Sequence, residues 1–140
     1  MGGGSEAMEA AIKLARQYWW ETKNPQRKYF IARQLSFHGN TLGTLALGNH
    51  PGRRALYEAL LDHDTFQHVS PVYYKRFAKE GESEADYVKR LAQELEDKFQ
   101  ALGPENVAAC ESFSFHFSVG LIRSPTMQSS QNQSWAPPKA

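Results

Sequence analysis

Residues 83–110 read SEADYVKRLAQELEDKFQALGPENVAAC, and this stretch decides the fold class. Apolar side chains recur in its first part with the spacing of one helix face, which predicts a helix with a single buried stripe. The stripe consists of Val88, Leu91, Leu95, Phe99 and Leu102. A buried helix face needs a second layer to pack against, and the apolar run VAAC that follows the helix predicts a strand of that layer.

Both ends of this helix carry termination signals. Ser83 followed by Asp86 resembles a capping box, in which two side chains satisfy free backbone groups of the first turn. Gly103 and Pro104 predict the end of the helix, because glycine favours the position after the last turn and proline cannot continue it. A long helix followed by a short buried strand is typical of an α/β domain.

Earlier residues show the same order of elements. Residues 5–22 predict a helix with Ser5 as its N-cap, and Glu6 and Glu9 place negative charge near its start, where the helix dipole favours it. Its apolar face is formed by Met8, Ile12, Ala15 and Trp19. Residues 29–32 (YFIA) predict a buried strand. The order helix–strand–helix–strand therefore predicts an α/β fold with a mainly parallel sheet, flanking helices and two buried strands.

The residues between these elements show weaker patterns. Residues 36–52 predict a glycine-rich loop containing at most a short helix, and residues 53–63 predict a modest helix. Residues 64–83 predict an irregular segment, which is long for a compact domain and therefore indicates a functional role or a missing partner.

The composition excludes several classes of function. The net charge of +1 and the scattered basic residues argue against binding to nucleic acid or to an anionic membrane surface. No apolar stretch reaches the length needed to span a bilayer, and no signal peptide is recognisable. The single Cys110 excludes an internal disulfide, and the five histidines lack the spacing of a metal site. These features predict an intracellular protein without a metal, located in the cytoplasm, with the mitochondrion as the alternative.

The composition changes after Cys110. Residues 111–140 hold three charged residues, Glu111, Arg123 and Lys139, and become rich in Ser, Gln and Pro. The sequence therefore predicts one domain over residues 1–110 and a divergent segment over residues 111–140, disordered from about residue 124.

The glycines before the first helix form a candidate anion site. Free N–H groups at a helix N-terminus point outward, the dipole is positive there, and glycine lets a phosphate approach the backbone. A flexible tail followed by an ordinary Ser5 cap is the alternative. GGGSEA also satisfies the G-x-G-x-x-G/A pattern, but no strand precedes it, and no Gly-Lys-Ser/Thr follows as a P-loop requires.

SFHG at residues 36–39 follows directly after the first predicted strand. Ligands of α/β sheets gather beyond the carboxyl ends of strands, so Phe37 and His38 are placed to contact a ligand, and an aromatic ring can stack on a planar group. The alternative is that Phe37 belongs to the core of the loop and that His38 is a hydrogen-bonded structural residue.

GGGSEAMEAAIKLARQYWWE, SFHGNTLGTLALG, the segment around FQHVSP, and NVAAC together resemble the large domain of class III pyridoxal-phosphate-dependent aminotransferases (fold type I). The resemblance covers roughly residues 3–110 in matching order and spacing. It implies that Gly4 and Ser5 hold the phosphate of the cofactor, pyridoxal 5'-phosphate. It also implies that Phe37 stacks on the pyridine ring, with His38 beside it.

The sequence departs from the family after NVAAC. The family continues with a Glu-Pro motif, an aspartate that pairs with the pyridine nitrogen and a lysine that bonds to the cofactor, and none of these is identifiable here. Lys139 lies in WAPPKA, which does not resemble the lysine motif. We therefore assign no catalytic residue. The resemblance implies a fragment of the large domain, with an incomplete sheet and no activity alone.

Three functions remain open at the level of sequence. The first is a truncated aminotransferase homologue, whose family transfers an amino group between an amine or ω-amino acid and a keto acid. The second is a non-catalytic module that binds the cofactor or another anion. The third is a dimerisation partner, in a homodimer or with a full-length homologue.

Overall fold

The computed structural model describes residues 2–110, and the predictions for residues 111–140 lie outside them. The strands are β1 (Tyr29–Arg33), β2 (Phe66–Val69) and β3 (Val107–Cys110). The helices are α1 (Gly4–Glu21), α2 (Leu42–Leu47), α3 (Pro51–Arg54), α4 (Tyr74–Phe77) and α5 (Glu84–Leu102), with 3₁₀ turns at Ala55–Leu60 and Pro104–Asn106.

The three strands form one parallel sheet in the order β2-β1-β3. Ala32 of the central strand lies opposite His68, and Tyr29 lies opposite Val107. Parallel neighbours need a crossover connection, and the helices between the strands supply it. The predicted α/β fold with a parallel sheet and flanking helices is confirmed.

Strand β2 corrects two predictions, that of an irregular segment over residues 64–83 and that of only two strands. Its four residues FQHV include polar Gln67 and His68, so neither an apolar run nor a clean alternation identifies the strand. Pairing with β1 places it in the sheet, since Phe30 lies opposite Phe66 and their rings are 5.7 Å apart.

Each face of the sheet is covered by its own helices. α1 and α2 cover one face, where the buried cluster contains Trp19, Phe30, Ala32, Leu45, Phe66 and Ala108. α5 covers the other face, where Leu95, Phe99 and Leu102 pack against Ile31, Val69 and Val107. The indole N–H of Trp19 donates to the carbonyl of Ala108 at 2.7 Å and so fastens the end of α1 to β3.

The buried stripe of α5 differs from the predicted one at a single position. Val88 is 56% exposed, whereas Tyr87 is 1% exposed. Tyr87, Leu91 and Leu95 are spaced four residues apart and share one face, which leaves Val88 turned toward solvent. The Tyr87 hydroxyl donates to the Pro71 carbonyl at 2.6 Å, so this face packs against the chain after β2.

The segment at residues 53–63 is not one helix. It splits into α3, which begins at Pro51, and the 3₁₀ turn Ala55–Leu60. Leu56 is 89% exposed and Leu60 is 66% exposed, so the segment has no continuous apolar face to bury. Helices of this length depend on such burial for their stability. The predicted short helix within residues 36–52 is present as α2.

Candidate functional site

The first turn of α1 is open to solvent. The helix begins at Gly4, its N-cap is the extended residue Gly3, and no side chain of the described residues caps it. The first intrahelical bond runs from the Ala7 amide to the Gly3 carbonyl at 3.2 Å. The amides of Gly4, Ser5 and Glu6 therefore precede the helical hydrogen-bond ladder, as the first amides of every α-helix do. A Cβ atom built at Gly4 would meet no atom of residues 2–110 within 4 Å.

Ser5 does not act as the N-cap, which corrects the sequence prediction. The helix starts two residues earlier than a Ser5 cap would place it, because Gly3 adopts the extended N-cap conformation. The Ser5 hydroxyl instead accepts a hydrogen bond from the Asn40 amide at 3.0 Å. Ser5 thus joins the start of α1 to the loop that follows β1.

Gly39 brings this loop into direct contact with α1. A Cβ atom at Gly39 would lie 2.8 Å from the Cα of Ser5 and 2.7 Å from the Thr44 hydroxyl. The φ angle of Gly39 is +138°, a conformation that favours glycine. The two segments that the sequence marked separately, GGGS and SFHG, are therefore neighbours in the fold.

Phe37 and His38 differ in their surroundings. Phe37 is 53% exposed, and the guanidinium carbon of Arg53 lies 4.5 Å from the centroid of its ring. His38 is 8% exposed and lines a small pocket with Phe37, Gly39 and Arg53. The aromatic ring is thus accessible and the imidazole is largely enclosed.

Arg53 is a site residue that sequence reasoning missed, and Arg54 explains its position. Arg54 is buried and donates to both carboxylate oxygens of Glu58, at 2.8 and 3.1 Å. This guanidinium holds the pKa of Glu58 below its usual value. Because Arg54 is fixed inward, its neighbour Arg53 extends outward over Phe37. A cation over an aromatic face is favourable, and this contact orients the ring.

Glu9 is the second residue whose role was missed. Its carboxylate accepts from the Thr41 hydroxyl at 2.5 Å and from the Thr44 amide at 3.2 Å. The sequence predicted only a favourable charge near the helix start. Its partners lie 32 and 35 positions away, so local pattern could not reveal them.

Within residues 2–110 no three His, Cys, Asp or Glu side chains are grouped so that they could hold a metal ion. The helices of the same range include none with the length and apolar character required to cross a bilayer.

Comparison with known proteins identifies the family. Residues 1–110 match the model of the family described as aminotransferase class-III. The chain belongs to the class-III aminotransferase family. The resemblance found in the sequence is thereby confirmed. Pyridoxal phosphate is the cofactor expected of this family.

Several individual class-III relatives are similar over most of this chain. An aminotransferase of Gibberella zeae is 45% identical over 129 residues, which are 90% of this chain and 25% of that protein. Gamma-aminobutyrate transaminase 1, mitochondrial, of Oryza sativa is 36% identical over 106 residues, 76% of this chain and 20% of that protein. A crystal structure of the ω-transaminase from Pseudomonas jessenii in complex with PMP has a TM-score of 0.75 and 36% identity, covering 79% of this chain and 24% of that chain.

These matches cover most of this chain and a small part of each relative. The chain spans about a quarter of the length of the curated relatives it matches. The 90% share matched by the Gibberella zeae protein is larger than residues 1–110, so the similarity includes part of the segment after Cys110.

Proposed function

We propose that residues 2–110 bind the phosphate end and one ring face of pyridoxal phosphate. The reaction that this binding supports is amino-group transfer between an amine or ω-amino acid and a keto acid. The observation that carries the proposal is the contact between the open first turn of α1 and the aromatic loop, made by the hydrogen bond from the Asn40 amide to the Ser5 hydroxyl. Family membership and the similar transaminase in complex with PMP support the choice of ligand.

The first turn of α1 has the chemistry that a phosphate requires. α1 has 18 residues, and its aligned peptide dipoles place partial positive charge at Gly4 and Ser5. A Cβ atom at Gly4 would meet no atom of residues 2–110 within 4 Å, which leaves space for an anion beside this turn. The exposed Glu6 side chain lies near Gly3, and an anion at the turn would move this flexible carboxylate aside.

The remaining site residues have distinct proposed roles. Phe37 supplies the stacking face, and Arg53 orients its ring through the cation–π contact. His38 lies beside Phe37 in the same pocket. When bound, pyridoxal phosphate acts as an electron sink during amino-group transfer. That chemistry also needs a lysine amine and a carboxylate at the ring nitrogen, and we assign neither to residues 2–110.

Amide chemical shifts of the full chain test the proposal. We expect pyridoxal phosphate to shift the Gly4 and Ser5 amides, and inorganic phosphate to compete with it. Pyridoxal, which lacks the phosphate, should shift them far less. Asp86 is the internal control, because its amide lies in the first turn of α5 and already donates to the Ser83 hydroxyl. Equal responses to pyridoxal and pyridoxal phosphate, or equal shifts at Asp86, would refute the proposed phosphate grip.

A second candidate function is dimerisation, with a second copy or with a longer class-III relative. The supporting observation is a set of large apolar side chains at the surface, including Leu56, Leu60 and Trp20 at 89%, 66% and 62% exposure. Exposed apolar side chains become interaction sites where a partner covers them. Sedimentation of the wild type and of a Leu56→Ser variant tests this function, and a monomeric wild type at all concentrations would argue against self-association.

We also propose an intracellular location, in the cytoplasm or in the mitochondrion. The name of the rice relative favours the mitochondrion. Fractionation of cells that express a tagged chain distinguishes the two compartments, and recovery from the medium would contradict both.

A further inference from the structure

Three residues at the start of α2, Thr41, Gly43 and Thr44, surround the Glu9 carboxylate. Thr41 donates its hydroxyl to this carboxylate, and Thr44 donates its amide. Gly43 lies so close that a Cβ atom there would approach one Glu9 oxygen to 2.5 Å. Hydrogen bonds to an ionised acceptor are stronger than neutral ones, so this contact is a firm link between α1 and α2.

The Thr41–Thr44 pair is itself fixed. Thr44 is fully buried, and its hydroxyl accepts from the Thr41 amide at 3.0 Å, which closes the capping box of α2. The donors that Glu9 meets are therefore held in place before the carboxylate arrives. An arrangement of this kind positions one segment against another with little loss of side-chain freedom.

Glu9 and Ser5 act on the same two elements. They lie four residues apart and so share one face of α1. Their partners Asn40 and Thr41 are adjacent in the chain. The two contacts are one helical turn apart. Together they restrain the axial position and the rotation of α1 relative to the loop that carries Phe37 and Gly39.

We propose that Glu9 is a positioning residue for the anion-binding turn: it holds α1 so that Ser5 stays against Gly39 and Asn40. The inference rests on the proposed function for its ligand, although its structural consequence at Asn40 does not. Without Glu9 the first turns of α1 keep only the Ser5–Asn40 hydrogen bond to this loop beside their apolar packing, so the amides of Gly4 and Ser5 are held less firmly relative to the Phe37 ring.

Glu94 offers a matched control on the opposite face of the sheet. Its carboxylate accepts from the Ser70 amide at 3.0 Å and from the Ser70 hydroxyl at 2.9 Å. A Glu94→Ala variant therefore loses the same kind of link, between a long helix and a loop, away from the site. Glu9→Gln is the conservative variant, because its amide oxygen still accepts from the Thr44 amide.

The experiment measures pyridoxal phosphate affinity and amide hydrogen exchange on the full chain. We expect Glu9→Ala to weaken affinity about tenfold, the size of effect seen when a residue that orients a ligand-binding group is removed. Glu9→Gln should recover most of the affinity, and Glu94→Ala should leave it unchanged. Exchange of the Asn40 amide should accelerate in Glu9→Ala and not in Glu94→Ala.

The outcomes separate the two proposals. If the wild type does not bind pyridoxal phosphate, the proposed function fails, and exchange at Asn40 still decides the role of Glu9. If the wild type binds and Glu9→Ala binds equally well with unchanged Asn40 exchange, the positioning role is wrong. If Glu9→Ala does not fold, Thr41→Val removes the hydroxyl donor to Glu9, together with its contact to the Thr44 hydroxyl, and should give the same two changes at smaller size. Unchanged affinity and exchange in Thr41→Val would then overturn the proposal.

Discussion

Replacing Gly39 by alanine tests the contact between the aromatic loop and α1. The φ angle of Gly39 is +138°, which alanine adopts only under strain. The added Cβ would also lie 2.8 Å from the Cα of Ser5, a backbone atom that cannot rotate away. The substitution therefore combines an unfavourable backbone conformation with a steric overlap.

The structure allows the two costs to be separated. A sparsely populated backbone conformation costs about 1–3 kcal/mol. Overpacking a closely packed position adds about 1–3 kcal/mol. Gly81 has φ of +74° and no atom of residues 2–110 within 4 Å of its Cβ position, so Gly81→Ala has the backbone cost of a left-handed residue and no steric overlap. We expect Gly39→Ala to lower the free energy of unfolding by about 4 kcal/mol and Gly81→Ala by about 1–2 kcal/mol.

Urea denaturation of the full chain measures the difference. With a denaturant slope of about 1.5 kcal/mol/M, a loss of 4 kcal/mol lowers the midpoint by about 2.7 M, and the control by about 1 M. Pyridoxal phosphate affinity should also fall in Gly39→Ala, because Ser5 is displaced. Equal losses in the two variants would refute the reasoning, since they would mean that Gly39 does not approach Ser5 closely.

Three further predictions concern parts of the fold away from the site. The Arg90 guanidinium holds the pKa of Glu82 at about 2, below its ordinary 4.5. This contribution to stability is therefore present above pH 4.5 and is lost as the pH falls toward 2. Urea unfolding across that window should show a shallower decline of the free energy of unfolding for Arg90→Met than for the wild type. Burial lowers the pKa of His68 below 6.5, so the unfolded chain takes up the proton first and stability falls as the pH drops below 6.5; His68→Gln should flatten that decline in the same assay. Leu91→Ala should cost about 2–5 kcal/mol of unfolding free energy because the side chain is buried. Val88→Ala, at an exposed position, should change the free energy of unfolding by no more than about 0.5 kcal/mol. A large loss in this variant would mean that Val88 is buried, as the sequence predicted.

The long helices could be predicted because their sequences carry both periodicity and end signals. α5 begins after Ser83 and ends before Gly103, as its capping residues indicated. β2 could not be predicted, because four residues with two polar side chains contain too little pattern. Its place in the sheet comes from pairing with β1. The paired residues are 36 positions apart in the sequence, as are Lys28 and Asp64, which form an ion pair beside the two strands.

The sequence proposes the parts of the candidate site and not their assembly. Open amides before a helix indicate an anion site at Gly4 and Ser5 from local chemistry, and the family resemblance adds Phe37 and His38. The bond that joins the two segments spans 35 positions, and no local pattern reports it. Arg53 was missed for the same reason, since its contact with Phe37 depends on the turn at α3.

The two long helices differ in how their first turns are stabilised, and this difference bears on ligand binding. In α5 the Ser83 hydroxyl accepts from the Asp86 amide at 3.1 Å, so one free donor is already satisfied. In α1 no side chain of residues 2–110 caps the helix, and its start is held from the side by Ser5 and Glu9. Within those residues, the first amides of α1 are therefore positioned without a side-chain acceptor of their own. An anion at Gly4 and Ser5 would supply the acceptor that Ser83 supplies in α5, so binding there also stabilises the helix end, whereas the start of α5 gains less from the same ligand.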